Sequence, residues 1–292
     1  MQVRRNGKAF ESVLVDVNTQ HDFCDVGGAF PVANATELIP ALRHVVAWGR
    51  RNQTPVVSSM ESHRPFELSD SGHPIHCVDG SNGQHKLEFT MFPSRTKLEV
   101  DNSLAVPLDL FRRHQQVILR KRSDDLLLNP KAERLLSDLP VLEYILFGTG
   151  LECSIKAIGL ALLTRAKQVT IVVDACGYWS RSTADLALRQ LVAKGAALTT
   201  VDQLLQRRLA RRWRYPDPRR NGNGSHASSH GASGNGRQSV VKNETKSNGK
   251  SHAPASSANP AESSELTCPP VVLKHRSARL PGNAHRPESF RP

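Results

Sequence analysis

The chain has 292 residues, with 39 Lys and Arg against 27 Asp and Glu, a formal net charge of +12. That length suits one large domain or two small ones, and no run of 18 apolar residues is present to span a bilayer. The charge is concentrated: residues 206–292 carry 16 basic and 5 acidic side chains, leaving 23 and 22 ahead of them, so the basic balance says nothing about the partners of the front of the chain.

Taken in chain order, strand and helix patterns alternate. SVLVDVN (12–18) is apolar, β-branched and closed by polar residues, the mark of a buried strand. ATELIPALRHVVAWGRRN (35–52) follows with helical spacing of Leu38, Ile39, Leu42, Val45 and Val46. TPVVSSM (54–60) and QQVILRK (115–121) read as strands, and PKAERLLSDL (130–139) as a helix opened by Pro130. VLEYILFG (141–148) is a further strand, 152–166 a helix, QVTIVVDA (168–175) a strand and 182–196 a helix closed by Gly195. Residues 197–212 add a last strand and helix.

Near-continuous apolar strands separated by helices predict an α/β fold: a three-layer α/β/α sandwich around a mainly parallel sheet. Its domain spans 1–206. Residues 207–292 form a basic tail rich in Gly, Ser, Asn and Pro, too poor in apolar side chains to offset chain entropy, and disorder is expected from about residue 217 onward. The N-terminus shows no secretory pattern, and the five cysteines (24, 77, 153, 176, 268) have no CxxC spacing. A soluble, cytoplasmic protein without a disulfide framework is the expectation. In parallel sheets, ligand groups gather at the carboxyl ends of strands. That directs attention to Asn18, Ser59–His63, Lys121, Gly148–Ser154 and Asp174.

The ordered set VDVNTQHDF, SSMESH, PIHCVDGSNG, LRKRSDDLLLNP, FGTGLECS and VVDACG resembles the isochorismatase-like cysteine hydrolases, the superfamily that includes the nicotinamidases. The likeness covers about residues 10–200. It implies a catalytic Asp at the end of the first strand, a Lys from a middle strand and a Cys at a helix N-terminus. The helix end and the ammonium favour thiolate, the Asp carries the proton, and the thiolate attacks an amide carbon to form an acyl-enzyme.

Carried over residue by residue, that pattern departs in two of three places. Aligned on Gln20, Asp22 and Phe23, the Asp position falls on Asn18, while Asp16 lies two residues deeper in the strand. Lys121 matches cleanly. Counted from Gly148, the nucleophile position falls on Ser154, with Cys153 one residue earlier; both stay open, and a Ser beside a Lys is itself a known nucleophile pairing. The resemblance also implies a cis peptide joining Thr149 to Gly150 in the oxyanion loop, and a role for Gln20 and Phe23 at the substrate. Glu152 either orients that loop or serves as a helix N-terminal charge. Phe23 and Trp179 are pocket-wall or core residues, and Leu126, Leu127 and Leu128 replace an aromatic wall.

The same likeness places a divalent metal, zinc or iron, on Glu61, His63 and His76, with Asp70 or His73 as further ligand positions and no organic cofactor. Two His and a carboxylate leave positions open for a substrate atom such as a pyridine nitrogen. Two functions follow. One is hydrolysis of the C–N bond of a small amide, nicotinamide first. The other is a catalytically inactive family member that binds a ligand or a partner, because Asn18 and Ser154 stand at two triad positions. A homo-oligomer is an expectation of the family. The tail is either a solvated extension or a contact for an acidic partner or nucleic acid, and no membrane is involved.

Overall fold

A computed structural model of the chain describes residues 10–67, 72–99, 105–107 and 109–207. The tail from 208 onward and Asp70 therefore lie outside the described residues. Seven parallel strands form one sheet: β1 (Phe10–Val17), β2 (Val56–Glu61), β3 (Arg95–Leu98), β4 (Gln116–Lys121), β5 (Val141–Thr149), β6 (Gln168–Gly177) and β7 (Ala197–Thr199), in the order β3-β4-β2-β1-β5-β6-β7. The central strand β1 is apolar on both faces because both faces are covered. Val13, Val15 and Val17 point into one core, and Leu14 into the other.

The first core lies under α3 (Leu110–Arg113), α4 (Pro130–Asp138), α5 (Lys156–Thr164) and α6 (Arg181–Ala193), the second under α1 (His21–Cys24), α2 (Ala35–Asn52) and α7 (Val201–Gln206). This is the three-layer sandwich expected from the sequence. Helix starts follow local chemistry. Asn129 accepts from the backbone N–H groups of Lys131 and Ala132 with Pro130 as first helical residue, and Thr200 with Gln203 forms a capping box at α7. Each such cap contributes about 1 kcal/mol. Asp174, noted at a strand end, accepts from the Val201 N–H and so joins β6 to α7 rather than facing the site.

Three elements differ from the sequence pattern. The edge strand β3 reads RTKL, alternately exposed and half-buried, and its polar side chains hide it from an apolar-run criterion. The one-turn helices α1 and α3 are too short to show a period. The helix expected over 152–166 begins with a π turn over Leu151–Ile155, closed by the Ile155 N–H on the Gly150 carbonyl at 3.1 Å, and becomes α-helical from Lys156.

Strand order reverses about β1: the chain moves outward through β2 to the edge strand β3, comes back to β4 between them, then crosses to pair β5 on the other side of β1. The crevice at such a switch point is where α/β sheets place their ligands. Gly148 permits the closure there. Its φ is +119°, and a Cβ would lie 2.0 Å from the Val17 carbonyl oxygen.

Candidate active site

The carboxyl ends of β1, β2, β4 and β5 converge on one buried polar cluster. Asn18 ends β1 with φ of +48°, a left-handed turn that Asn tolerates better than most residues. Its Oδ1 accepts from Ser59 Oγ at 2.7 Å, and its Nδ2 donates to Glu61 Oε2 at 2.7 Å and to Ser154 Oγ at 3.3 Å. A carboxylate can only accept, so the contact with Glu61 fixes which end of the Asn18 amide carries the hydrogens.

Lys121 closes β4 beside Glu61, its register partner on β2. Its ammonium donates to Glu61 Oε2 at 2.8 Å, the Ser123 carbonyl at 2.8 Å and Ser154 Oγ at 3.2 Å, which uses all three protons. The side chain is 1% exposed, so Lys121 faces the site and not solvent. Ser154 stands in the π turn after the Thr149–Gly150 peptide, which is cis as the resemblance implied. Its Oγ takes bonds from Lys121 and Asn18 and donates to Asp124 Oδ1 at 3.2 Å. Cys153, buried one residue earlier, is disulfide-bonded and so offers the site no free thiol.

Glu61 serves two neighbourhoods with its two oxygens. Oε2 meets Lys121 and Asn18; Oε1 meets His63 Nε2 at 2.9 Å and His76 Nε2 at 3.5 Å. Burial alone would raise its pKa, but the Lys121 charge and the His63, His76 and Lys121 hydrogen bonds hold it well below the ordinary carboxylate range. Burial likewise opposes charge on His76, yet its bonds to Glu61 and to the Pro74 carbonyl lift its pKa above the usual value. Glu61, His63 and His76 each offer one ligand atom, all within 4.8 Å of one another. His76 Nδ1 is fixed on the Pro74 carbonyl at 2.7 Å, which turns Nε2 toward Glu61 and is the outer support that metal-ligating histidines carry. The donor set is consistent with a divalent ion.

Several expected residues take other positions. Asp16 sits below the site, with both oxygens engaged: Oδ1 by Thr19 Oγ1 at 2.8 Å, Oδ2 by Ser58 Oγ at 2.8 Å and Lys86 Nζ at 3.1 Å. Gln20, expected at the substrate, is wholly buried and spent on backbone. Its Nε2 donates to the carbonyls of Glu61 and Gln84, and its Oε1 accepts the Glu61 N–H at 2.7 Å. It holds the end of β2 and the 77–84 loop together. Glu152 stands in the first turn of its own helical segment, and its Oε1 accepts the N–H groups of Trp179 and Ser180 at the start of α6. Leu126 and Leu127 pack in the core and Leu128 is exposed, so the three leucines are not a wall.

An aromatic wall exists, built from other residues. Phe23, buried, lies 5.2 Å from the His76 ring and 5.8 Å from Trp179; Phe30 stacks on Trp179 at 4.6 Å and lies 5.1 Å from both His73 and His76. His73, considered as a ligand, belongs to this wall, and burial lowers its pKa. Trp179 also covers Gly150, where a Cβ would meet its ring at 2.1 Å. Phe30 and Asp124 escaped the sequence reading. The acidic pair Asp124–Asp125, three residues past Lys121, was the available signal for the second.

The crevice at the switch point thus brings together a buried Lys–Ser pair and a His/carboxylate cluster. The chain belongs to the isochorismatase family, whose isochorismatase domain pattern matches residues 12–203. Solved structures agree on the fold. The pyrazinamidase of Pyrococcus horikoshii in complex with zinc is 20% identical, over 65% of this chain and 99% of that one, with TM-score 0.52. The nicotinamidase/pyrazinamidase of Bacillus subtilis is 16% identical over 65% and 100%, with TM-score 0.53. The N-carbamoylsarcosine amidase of Thermoplasma acidophilum is 19% identical over 66% and 98%, with TM-score 0.50. No curated protein matches the chain. Among the described residues no helix is long and apolar enough to cross a membrane.

Proposed function

We propose that the chain hydrolyses the C–N bond of a small amide, nicotinamide being the first candidate, through an acyl-enzyme on Ser154. The observation that carries this reading is the Lys121 ammonium 3.2 Å from the Ser154 hydroxyl, both buried, at the switch point of the sheet. An ammonium and an amide N–H aimed at one oxygen stabilise negative charge as that oxygen becomes a nucleophile. Glu61, His63 and His76 would hold a divalent ion, which would supply a Lewis-acid contact for a substrate nitrogen or oxygen. Phe23, Phe30 and Trp179 line the same side with flat apolar surface, suited to a heteroaromatic ring.

Ammonia release from nicotinamide and pyrazinamide by the purified protein tests the reading, with Lys121→Ala and Ser154→Ala prepared identically. Release that falls by at least ~10³-fold in both variants is expected, as when one member of a catalytic unit is removed. A second reading rests on Asn18, whose amide cannot accept a proton as the family's Asp does: a ligand-binding module without turnover. Heat of nicotinamide binding with no ammonia from any amide would select that reading.

A further inference from the structure

The carboxylates at this end of the sheet are not equivalent in their relation to Ser154. Asp16 is saturated by Thr19, Ser58 and Lys86. Glu61 is committed to Lys121 and Asn18 through one oxygen and to the two histidines through the other. Asp124, in the loop after β4, accepts from Ser154 Oγ at 3.2 Å. The Ser154 oxygen has two lone pairs and one hydrogen. Lys121 Nζ and Asn18 Nδ2, both obligate donors, occupy the lone pairs, so the hydrogen is directed at Asp124.

We infer that Asp124 is the catalytic proton acceptor for Ser154, the role having moved from the end of β1 to the loop after β4. The inference rests on the covalent Ser154 reading and deepens it. The end of β1 carries Asn18, which donates to Ser154 and cannot take its proton. The proton-accepting carboxylate therefore reaches the nucleophile from the loop after β4. In acylation the Ser154 proton passes to Asp124 as Oγ bonds to the amide carbon. The C–N bond then breaks, its electron pair goes to nitrogen, and Asp124 returns the proton to the departing amine. In deacylation a water gives its proton to Asp124 as its oxygen bonds to the acyl carbon. The ester C–O bond breaks, and the proton returns to Ser154 Oγ. Lys121 and Asn18 keep their hydrogens throughout and stabilise charge on Oγ.

The test uses the full-length protein and a fluorophosphonate probe, which phosphonylates an activated serine without needing the natural substrate. The rate of labelling, mapped to the peptide containing Ser154, is compared in wild type, Asp124→Asn, Asp124→Ala and Asp124→Glu. General-base removal costs about 10²–10⁴-fold. We expect at least a ~10²-fold slower rate in Asp124→Asn, partial recovery in Asp124→Glu, and recovery of Asp124→Ala by added formate, which a purely structural role for Asp124 would not give. Labelling of Ser154 in Asp124→Asn within threefold of wild type overturns the inference, as does a wild-type Ser154 that the probe leaves unlabelled. Ammonia release separates the two ideas. Asp124-dependent labelling without hydrolysis of any amide keeps Asp124 as the proton acceptor and rejects the amidase reading. Amide hydrolysis undiminished in Asp124→Asn does the reverse.

Discussion

The buried pair of Asp16 and Lys86 decides what the deep carboxylate of β1 is for. Both side chains are 1% exposed and their charged atoms are 3.1 Å apart. Thr19 and Ser58 hydroxyls complete the shell of Asp16, and Thr19 Oγ1 with the Ser59 carbonyl completes that of Lys86. Removing one partner of such a pair strands a charge in the interior and costs about 3–5 kcal/mol. For a domain of this size each kcal/mol moves Tm by about 2–4 °C, so Asp16→Asn should lower Tm by roughly 6–20 °C. Lys86→Met should cost a similar amount. The double variant should lose less than the sum by about 2 kcal/mol or more, because neither charge is then left alone. Differential scanning calorimetry of the four proteins reads the cycle, and fluorophosphonate labelling of Ser154 is followed in parallel at a temperature where all four are folded. Additivity within ~0.5 kcal/mol would refute the pairing. An Asp16→Asn protein of unchanged Tm whose Ser154 no longer reacts would show Asp16 to be the proton acceptor instead.

Metal content, measured by mass spectrometry after growth with zinc and iron, should fall at least ~10-fold in His63→Ala and in His76→Ala; undiminished metal in both would place the ion elsewhere. Gly150→Ala drives a methyl group into the Trp179 ring, and overpacking of this kind should cost about 1–3 kcal/mol in chemical denaturation and shift Trp179 fluorescence; an unchanged midpoint would contradict the close approach. Cys24, Cys77 and Cys176 are buried and free, with burial pushing the Cys24 thiol up to about 12 and the other two higher still. All three stay protonated at pH 8, so peptide mapping after brief alkylation of the native protein should find them unmodified, and rapid modification of any of them would contradict its burial.

Much of the fold was legible because the inner strands are unbroken apolar runs, and a strand covered on both faces admits little else. β3 was not, since an edge strand of Arg, Thr, Lys and Leu differs little from a loop in composition. At the site, Asn18, Lys121 and Ser154 could be placed from sequence because each lies at or just beyond a strand end fixed by its neighbours. What the sequence could not show is who bonds to whom across strands. The resemblance implies a metal-type carboxylate at Glu61, yet the parallel register of β2 and β4 brings Lys121 beside it, so one of its oxygens is an ion-pair partner. Gln20 reads as a polar group near the substrate, but an amide has as many backbone partners as ligand partners, and folding used the former. The π turn also lies beyond local pattern: Leu, Glu, Cys, Ser and Ile suit an ordinary helix start, and the wider turn appears only when the Ile155 N–H closes on Gly150.

The nucleophile itself can be caught. Protein mixed with nicotinamide, quenched in acid during turnover and digested, should yield a peptide carrying a nicotinoyl ester on Ser154, and Ser154→Ala should yield none. Turnover accompanied by a thioester on Cys153, or by no acyl adduct on either residue, would contradict a Ser154-centred hydrolase.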